Sequence, residues 1–261
     1  MANRSEDLSR YELFGWDYEA INPLGKDELG WYHHWAEQAD GSILGLACGS
    51  ARLLIALARQ GRSVTGMDLS ETMLGIARGH IASEPESVQR RIRLLRQDME
   101  QFDLTERFGL VLIPDNSFRE LSTRRQLRRC LQTIHRHLRP RGRLLIAERR
   151  FQPELYPDGC RDFGWSSAKP NPRTGELVRR RGHIRLHRDH RRLSGVFEYE
   201  VAHDDDHRQT VRCPWSAPVL QLEEYLALFL QAGFTTQVFT DYAVEPDVGG
   251  GALWCFVCSR P

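Results

Sequence analysis

The sequence predicts an α/β fold in which a doubly wound, seven-stranded sheet carries an inserted antiparallel β subsheet. From Ser42 onward, short apolar runs alternate with amphipathic helical segments, a pattern typical of parallel strands joined by right-handed crossover helices. Farther along, residues 177–188 and 193–203 alternate in polarity, as long antiparallel strands do. The 261 residues, 41% of them hydrophobic, suffice for one large core that needs no disulfide.

The first part of the chain supplies the core elements in order. Helices are predicted over residues 52–60, after the N-cap Ser70, and over residues 123–138, and Gly61 is expected to end the first of them. The buried strands around these helices are predicted at residues 43–47, 64–68, 92–95, 110–113 and 144–147. Ligands of such sheets bind at the carboxyl ends of the strands, where the strand order reverses.

Four segments are expected along the chain. The aromatic and acidic residues 1–39 are interpreted as an N-terminal helical lid, and residues 40–150 as the ligand-binding core. Residues 151–215 are interpreted as an antiparallel insertion over the acceptor site, with a third strand at residues 211–213. Residues 216–261 are expected to supply a helix and the two strands that close the sheet.

Charge and cysteine content restrict the class of protein. A formal net charge of +1 argues against a general nucleic-acid or membrane-surface binder. The polar start shows no secretory signal, and no apolar run reaches the roughly 20 residues of a membrane helix. The six cysteines are scattered, and Cys255 and Cys258 would point to opposite faces of a strand. We therefore expect a cytoplasmic protein without a metal site or a membrane partner.

The most informative segment lies between the first strand and its helix. Residues 44–52 read Leu-Gly-Leu-Ala-Cys-Gly-Ser-Ala-Arg, so small residues stand where a tight turn lets a ligand approach the backbone and the helix N–H groups. About 20 residues later, Asp68 ends the second strand, a suitable position for hydrogen bonds to ribose hydroxyls. Each feature alone is weak, but together they predict a nucleotide site.

A collinear set of motifs resembles the class I S-adenosylmethionine (SAM)-dependent methyltransferases. The set comprises residues 46–51, the Asp-Leu-Ser-x-x-Met-Leu run within residues 66–74, and residues 97–99 and 138–144. The layout beyond this core is similar to small-molecule methyltransferases of the sugar N,N-dimethyltransferase type, which also carry a Gly-Lys-Asp in an aromatic N-terminus, here residues 25–27. The resemblance implies a Rossmann-like fold, SAM as cofactor and a small-molecule acceptor methylated at nitrogen or oxygen.

The resemblance also implies which residues bind the cofactor. The methionine part of SAM would lie against the first loop, Asp68 would bind the ribose, Asp98 would bind the adenine amino group, and an N-terminal tyrosine would cover the cofactor. The complete set of implied contacts is Tyr18, Ala47, Cys48, Gly49, Asp68, Leu69, Met73, Asp98, Met99 and Ile113. Candidate substrate contacts are Tyr11, His33 and Asn116, and Pro114 and Asp115 would also line the methyl-transfer side.

A methyl acceptor that is a hydroxyl needs more help from a base than an amine, which must only be deprotonated and placed. Asp115 and Glu148 are the main candidates for catalysis, because they follow the fourth and fifth strands, where the site should be. Helix-cap or loop roles explain both residues equally well. His33, His34 and Tyr242 are further candidates.

The sequence departs from the family at four positions. Gly45 stands where an acidic residue usually helps to anchor the methionine amino group, Ala47 and Ala51 replace two glycines, and Gly109 replaces an acid near the fourth strand. A non-catalytic SAM-fold binding protein therefore stays an alternative. A nucleic-acid methyltransferase that uses the arginine runs is another, although no nucleic-acid partner is expected, and a nicotinamide-dependent dehydrogenase is a distant one. Homodimerisation is left open.

Overall fold

The computed structural model describes residue 15 and residues 21–171, 174–189, 191–202, 208–247 and 249–261. Seven strands form the main sheet in the order β11-β12-β5-β4-β1-β2-β3, with parallel pairing from β5 to β3 and β12 antiparallel to both its neighbours. These strands are β1 (Ile43–Leu46), β2 (Val64–Asp68), β3 (Ile92–Arg96), β4 (Phe108–Ile113), β5 (Leu138–Arg149), β11 (Thr235–Thr240) and β12 (Leu253–Ser259). The predicted fold class is confirmed, and the strand order reverses between β1 and β4.

Helices cover both faces of this sheet. They are α1 (Lys26–Glu37), α2 (Arg52–Arg59), α3 (Glu71–Ala82), the short α4 (Glu86–Gln89), α5 (Arg124–His137) and α6 (Leu222–Gln231). The predicted caps form: the Ser70 hydroxyl accepts from the Met73 N–H at 3.1 Å, and Gly61 takes a φ of +86° after α2. Single 3₁₀ turns lie at Ser117–Glu120 and Pro153–Leu155. Among the described residues, no helix has the length and apolarity to span a membrane.

Two apolar clusters sandwich the main sheet. One packs α5 and α6 against one face, and Phe229 and Phe256 lie at its centre with ring centroids 5.0 Å apart. The other packs α1 and α2 against the opposite face, where Trp31 and Tyr32 are fully buried. Cys255 and Cys258 belong to opposite clusters, as strand geometry requires of residues three apart. The aromatic stripe of the N-terminal segment is therefore part of the core.

A second sheet follows β5 in the chain. It contains β6 (Cys160–Phe163), β7 (Lys169–Pro170), β8 (Leu177–His187), β9 (Arg192–Ala202) and β10 (Arg208–Pro218), all in antiparallel pairs. One face packs its own small apolar clusters. On the other face, acidic and basic side chains pair across strands: Glu200 with Arg179 and Arg208, and Glu198 with Arg181 and Arg212.

Two strands are longer than the sequence predicted. β5 begins at Leu138 instead of residue 144, because the chain continues in extended form through Pro140 and pairs with β4 across a bulge. β10 covers eleven residues where three were expected. The departure at Gly109 has a steric reason, since a Cβ there would lie 2.0 Å from the Asp40 carbonyl oxygen.

Candidate active site

The loop after β1 takes an unusual backbone path. Ala47, Gly49 and Ala51 have φ values of +50°, +54° and +63°, so left-handed residues alternate along it. Alanine reaches this region at a cost of about 1 kcal/mol, which glycine avoids. The Cys48 N–H donates to the Met67 carbonyl at 3.0 Å and ties the loop to β2. The two alanines thus keep the conformation that the family's glycines favour.

Asp68, the last residue of β2, holds this loop in place. Its Oδ2 accepts from the Gly49 N–H at 2.8 Å, and its Oδ1 accepts from the Ser70 N–H at 2.9 Å. The carboxylate therefore links the β1 loop to the N-terminus of α3. A carboxylate oxygen can accept two hydrogen bonds, so this structural role is compatible with contacts to ligand hydroxyls.

A cavity of about 670 Å³ opens beside this loop, at the point where the strand order reverses. Its volume is within the range of small-molecule pockets. The sequence-predicted residues that line it are Ala47, Cys48, Gly49, Asp68, Leu69, Met73, Met99, Pro114, Asp115, Asn116 and Tyr242. The structure therefore brings the β1 loop, the end of β2, the loop after β3 and the end of β4 to one cavity.

Two further loops at the cavity have left-handed backbone at consecutive residues. Asp115 and Asn116 follow β4, and Asp241 and Tyr242 follow β11. Side-chain bonds stabilise both turns: Asn116 Oδ1 accepts from the Arg149 N–H at 2.5 Å, and Asp241 Oδ1 accepts from the Leu253 N–H at 2.8 Å. Backbone strain of this kind collects at ligand sites, where the surrounding structure holds it.

Two predicted cofactor contacts are not among the described residues that line the cavity. Ile113 is fully buried in the apolar cluster beneath α5 and α6, because its position on β4 directs it into that face of the sheet. The Asp98 carboxylate accepts from the Glu100 N–H at 2.7 Å and stabilises its own turn, while its neighbours Gln97 and Met99 line the cavity. Tyr11 and Tyr18 lie outside the described residues.

Glu148, a predicted catalytic residue, lies fully buried away from the cavity lining. Its Oε2 accepts from Arg119 Nε at 2.7 Å, and its Oε1 accepts from the Arg119 N–H at 3.3 Å. Burial alone would lower the pKa of Arg119, but the Glu148 carboxylate outweighs burial and raises it. This ion pair anchors the turn after β4 to β5. The structure therefore assigns Glu148 a structural contact in place of the expected catalytic position.

The predicted histidines are also bound elsewhere. His33 Nδ1 hydrogen-bonds the Gln60 side chain at 2.7 Å, and His34 Nε2 hydrogen-bonds the Gln38 side chain at 2.8 Å. Neither histidine is among the described residues that line the cavity, because both lie on other faces of α1. The expectation that His33 contacts the substrate therefore has no support in this geometry.

Glu28 and Arg52 line the cavity but were not selected from the sequence. Burial raises the pKa of the Glu28 carboxyl, the nearby Asp115 raises it further, and Arg52 opposes the shift. Tyr242 also opposes the rise in the Glu28 pKa, and Glu28 adds to the rise that burial causes in the Tyr242 pKa. The only sequence signal for Glu28 is its place three residues after Gly25, which fits a helix-capping box and does not indicate a ligand.

Comparison with known proteins identifies a domain and a fold that this chain shares with them. A family model described as a methyltransferase domain matches residues 43–142, the span from β1 into β5. The crystal structure of Streptomyces venezuelae DesVI superimposes with a TM-score of 0.70 over the full length of both chains, at 24% identity. The chain therefore contains a methyltransferase domain over residues 43–142 and has the fold of the class I SAM-dependent methyltransferases.

Two curated relatives align with this methyltransferase over part of its length. The putative methyltransferase YqeM of Bacillus subtilis is 36% identical over 121 residues, which are 45% of this chain and 47% of YqeM. The dTDP-3-amino-3,4,6-trideoxy-alpha-D-glucopyranose N,N-dimethyltransferase of Streptomyces venezuelae is 30% identical over 142 residues, 54% of each chain. The chain thus spans about half the length of these two relatives.

The cavity of this methyltransferase has the electrostatic character that SAM requires. Its lining contains six carboxylates, Asp27, Glu28, Asp68, Asp115, Glu120 and Asp241, but three basic residues, Lys26, Arg52 and Arg149. An excess of negative charge in a partly closed cleft attracts a cation, and the reactive centre of SAM is a sulfonium. Met73 and Met99 supply apolar surface for an adenine ring. The residues present therefore fit the cofactor of the family.

Proposed function

We propose that this methyltransferase transfers a methyl group from SAM to an amine nitrogen of a small molecule. The observation that carries the proposal is one cavity that joins the β1 loop and Asp68 to a carboxylate-rich wall at the ends of β4 and β11. The β1 loop would hold the methionine part of SAM, Asp68 the ribose hydroxyls and Met99 the adenine. When bound, SAM supplies an electrophilic methyl group that reacts by in-line displacement.

The acceptor wall determines what the protein contributes to the reaction. A typical alkyl amine is protonated at neutral pH and must lose its proton before its lone pair can attack. The Asp115 carboxylate is exposed on the wall and would bind the ammonium group, orient the nitrogen and receive its proton. Positioning supplies the remaining rate enhancement, because two held reactants no longer need to meet in solution.

The N-terminal segment, rather than the second sheet, would enclose the acceptor. Residues 22–28 line the cavity, and Arg52 Nη1 donates to the Asn22 carbonyl at 2.6 Å, which holds this segment over the β1 loop. The sequence suggested that the insertion 151–215 covers the acceptor site. No described residue of that range lines the cavity. We therefore propose that residues 22–28 act as the lid.

Binding and turnover test the proposal separately. Calorimetry with SAM should give a one-site isotherm, and absence of binding at millimolar SAM contradicts the proposed function. Methyl transfer is then measured by mass spectrometry on pairs of small acceptors that differ only in carrying an amine or a hydroxyl. Amine products are expected, and Asp115→Asn should reduce their rate by about 100-fold at unchanged SAM affinity. If only the hydroxyl-bearing acceptors are methylated, the acceptor atom is oxygen and the proposed amine specificity is wrong.

A non-catalytic SAM-binding protein is the second candidate, favoured by Gly45, which removes an acid from the family's cofactor motif. It predicts tight SAM binding without turnover on any acceptor in the panel. A nucleic-acid methyltransferase receives less support from the site. Carboxylates outnumber basic residues in the described cavity wall. Two arginines of β8 and two of β10 are paired with Glu198 and Glu200, namely Arg179, Arg181, Arg208 and Arg212.

A further inference from the structure

The position of the missing acid is filled by an apolar contact. Gly45 and Gly66 are in register on β1 and β2, and Leu54 of α2 packs over both. A Cβ at Gly45 would lie 2.8 Å from Leu54 Cδ2, and a Cβ at Gly66 would lie 2.8 Å from Leu54 Cδ1. Leu54 is itself buried. Position 45 therefore contributes close packing of helix on sheet and no charge toward a ligand.

Opposite charges occur next to the β1 loop on two other elements. Arg52 is the first residue of α2, directly after the loop, and Glu28 lies in the first turn of α1. Both line the cavity, and their charges attract, since Arg52 lowers the pKa of Glu28 against the effect of burial. Arg52 is fixed by its bond to the Asn22 carbonyl. The cavity wall therefore carries a cation from α2 and an anion from α1.

A third element packs on the helix that carries Glu28. Tyr242 lines the same cavity, and its ring packs on Trp31 and Tyr32 of α1 with centroids 5.9 and 6.2 Å apart. The left-handed backbone of Tyr242, φ +62°, directs the residue into this position. Groups held this firmly before a ligand arrives lose little conformational freedom when they bind it.

The amino-acid end of SAM is a zwitterion, with an ammonium and a carboxylate on one carbon atom. Guanidinium groups bind carboxylates in a bidentate manner, and a carboxylate is the matching partner of an ammonium. We propose that Arg52 binds the α-carboxylate of SAM and Glu28 binds its α-ammonium, and that this pair replaces the acid absent from position 45. The inference rests on the proposed function in that it takes the cavity as the SAM site.

Three ligands separate the two contacts. S-adenosylhomocysteine has the complete amino-acid end, decarboxylated SAM has the ammonium alone, and 5′-methylthioadenosine has neither group. Their affinities are measured by calorimetry on the wild type, Arg52→Met and Glu28→Gln. Arg59→Met and Glu37→Gln serve as matched controls, because they lie on the same two helices outside the cavity lining. Circular dichroism confirms the fold of each variant.

The expected pattern is specific to each variant. Arg52→Met should lower the affinity for S-adenosylhomocysteine by about 10- to 100-fold, as the loss of a charged hydrogen bond does. The affinities for decarboxylated SAM and methylthioadenosine should stay within about twofold of the wild-type values. Glu28→Gln should lower the affinities for S-adenosylhomocysteine and decarboxylated SAM by about tenfold and leave the affinity for methylthioadenosine unchanged. The controls should bind all three ligands like the wild type.

Two results would overturn the inference while the proposed function stands. One is an unchanged ratio of S-adenosylhomocysteine to methylthioadenosine affinity in both cavity variants. The other is an equal loss of all three ligands, which indicates a disturbed loop instead of lost contacts to the amino-acid end. If the wild type binds none of the ligands, the proposed function itself fails and the inference with it.

Discussion

The cavity edge of the main sheet and the second sheet both contain many charged side chains but use them differently. On the second sheet, Glu198 and Glu200 each pair with two arginines, so the charges neutralise one another across the strands. At the cavity, carboxylates outnumber basic residues, and consecutive left-handed residues occur at residues 115–116 and 241–242. The number of charged residues therefore does not distinguish the cavity from the second sheet. The cavity differs in its excess of negative charge and in its loops with left-handed backbone.

Glu148 provides the test with the largest expected effect. It lies near the strand ends at the cavity, and yet it is paired with an arginine as the glutamates of the second sheet are. Glu148→Ala should lower the free energy of unfolding by about 3–5 kcal/mol, since it leaves the buried Arg119 charge without its partner. Urea denaturation measures the loss. Glu86→Gln, in an exposed pair with Arg90, is the control and should change stability by less than about 0.5 kcal/mol. A loss below 1 kcal/mol for Glu148→Ala contradicts the assignment.

Asp68 tests whether the cavity is the cofactor end. Asp68→Ala removes two bonds to loop N–H groups together with the proposed ribose contact, so SAM affinity should fall by more than about tenfold. Calorimetry measures the change. Glu198→Gln is the matched control on the second sheet and should leave SAM affinity unchanged. Equal effects of the two variants would reject the site. Asp204, a residue of the expected hairpin tip, lies outside the described residues.

The pH dependence of protein stability tests the environment of Glu28 at the cavity. Because burial raises the pKa of Glu28 in the folded protein, the folded state binds this proton more tightly than the unfolded state, and ionised Glu28 opposes folding at neutral pH. Glu28→Gln should therefore raise the melting temperature at pH 8, and the gain should disappear at about pH 3, where the carboxyl is protonated in both states. A gain independent of pH would point to better packing instead.

The smallest effect is expected in the β1 loop. Ala47→Gly relieves about 1 kcal/mol of left-handed strain but increases the freedom of the unfolded chain by a similar amount, so stability should change by less than about 0.5 kcal/mol. Gly49→Ala introduces similar strain, which the reduced freedom of the unfolded chain partly offsets, but its Cβ would also lie 3.1 Å from Met73 Cε, closer than an ordinary contact. It should destabilise by about 1 kcal/mol in the same denaturation assay. Equal values for the two variants would contradict the backbone conformation of this loop.

The sequence predicts the elements well where the signal is local. Apolar runs, N-caps such as Ser70 and terminal glycines such as Gly61 act within a few residues, and the corresponding strands and helices are found. The length of β5 and β10 escaped prediction because pairing with the preceding strand, β4 and β9 respectively, extends them through polar residues and prolines. The local pattern does not contain that pairing.

Prediction of the site residues also succeeded only where the signal is local. The β1 loop and Asp68 were predicted, because one βα unit places them together within about 20 residues. The grouping of Glu28, Arg52 and Tyr242 brings together three elements that are far apart in the chain, and no spacing reveals it. The ion pair of Glu148 escaped prediction for a related reason, since its partner Arg119 lies 29 residues away.

The contact of Leu54 with Gly45 and Gly66 also limits how this sequence can change over time. An acid at position 45 would meet Leu54 unless a smaller side chain had first appeared at position 54, and that smaller side chain alone would leave a void over Gly66. Each single step is therefore unfavourable, and only their combination restores the usual motif. The packing of Leu54 therefore opposes the return of an acid by a single substitution at position 45.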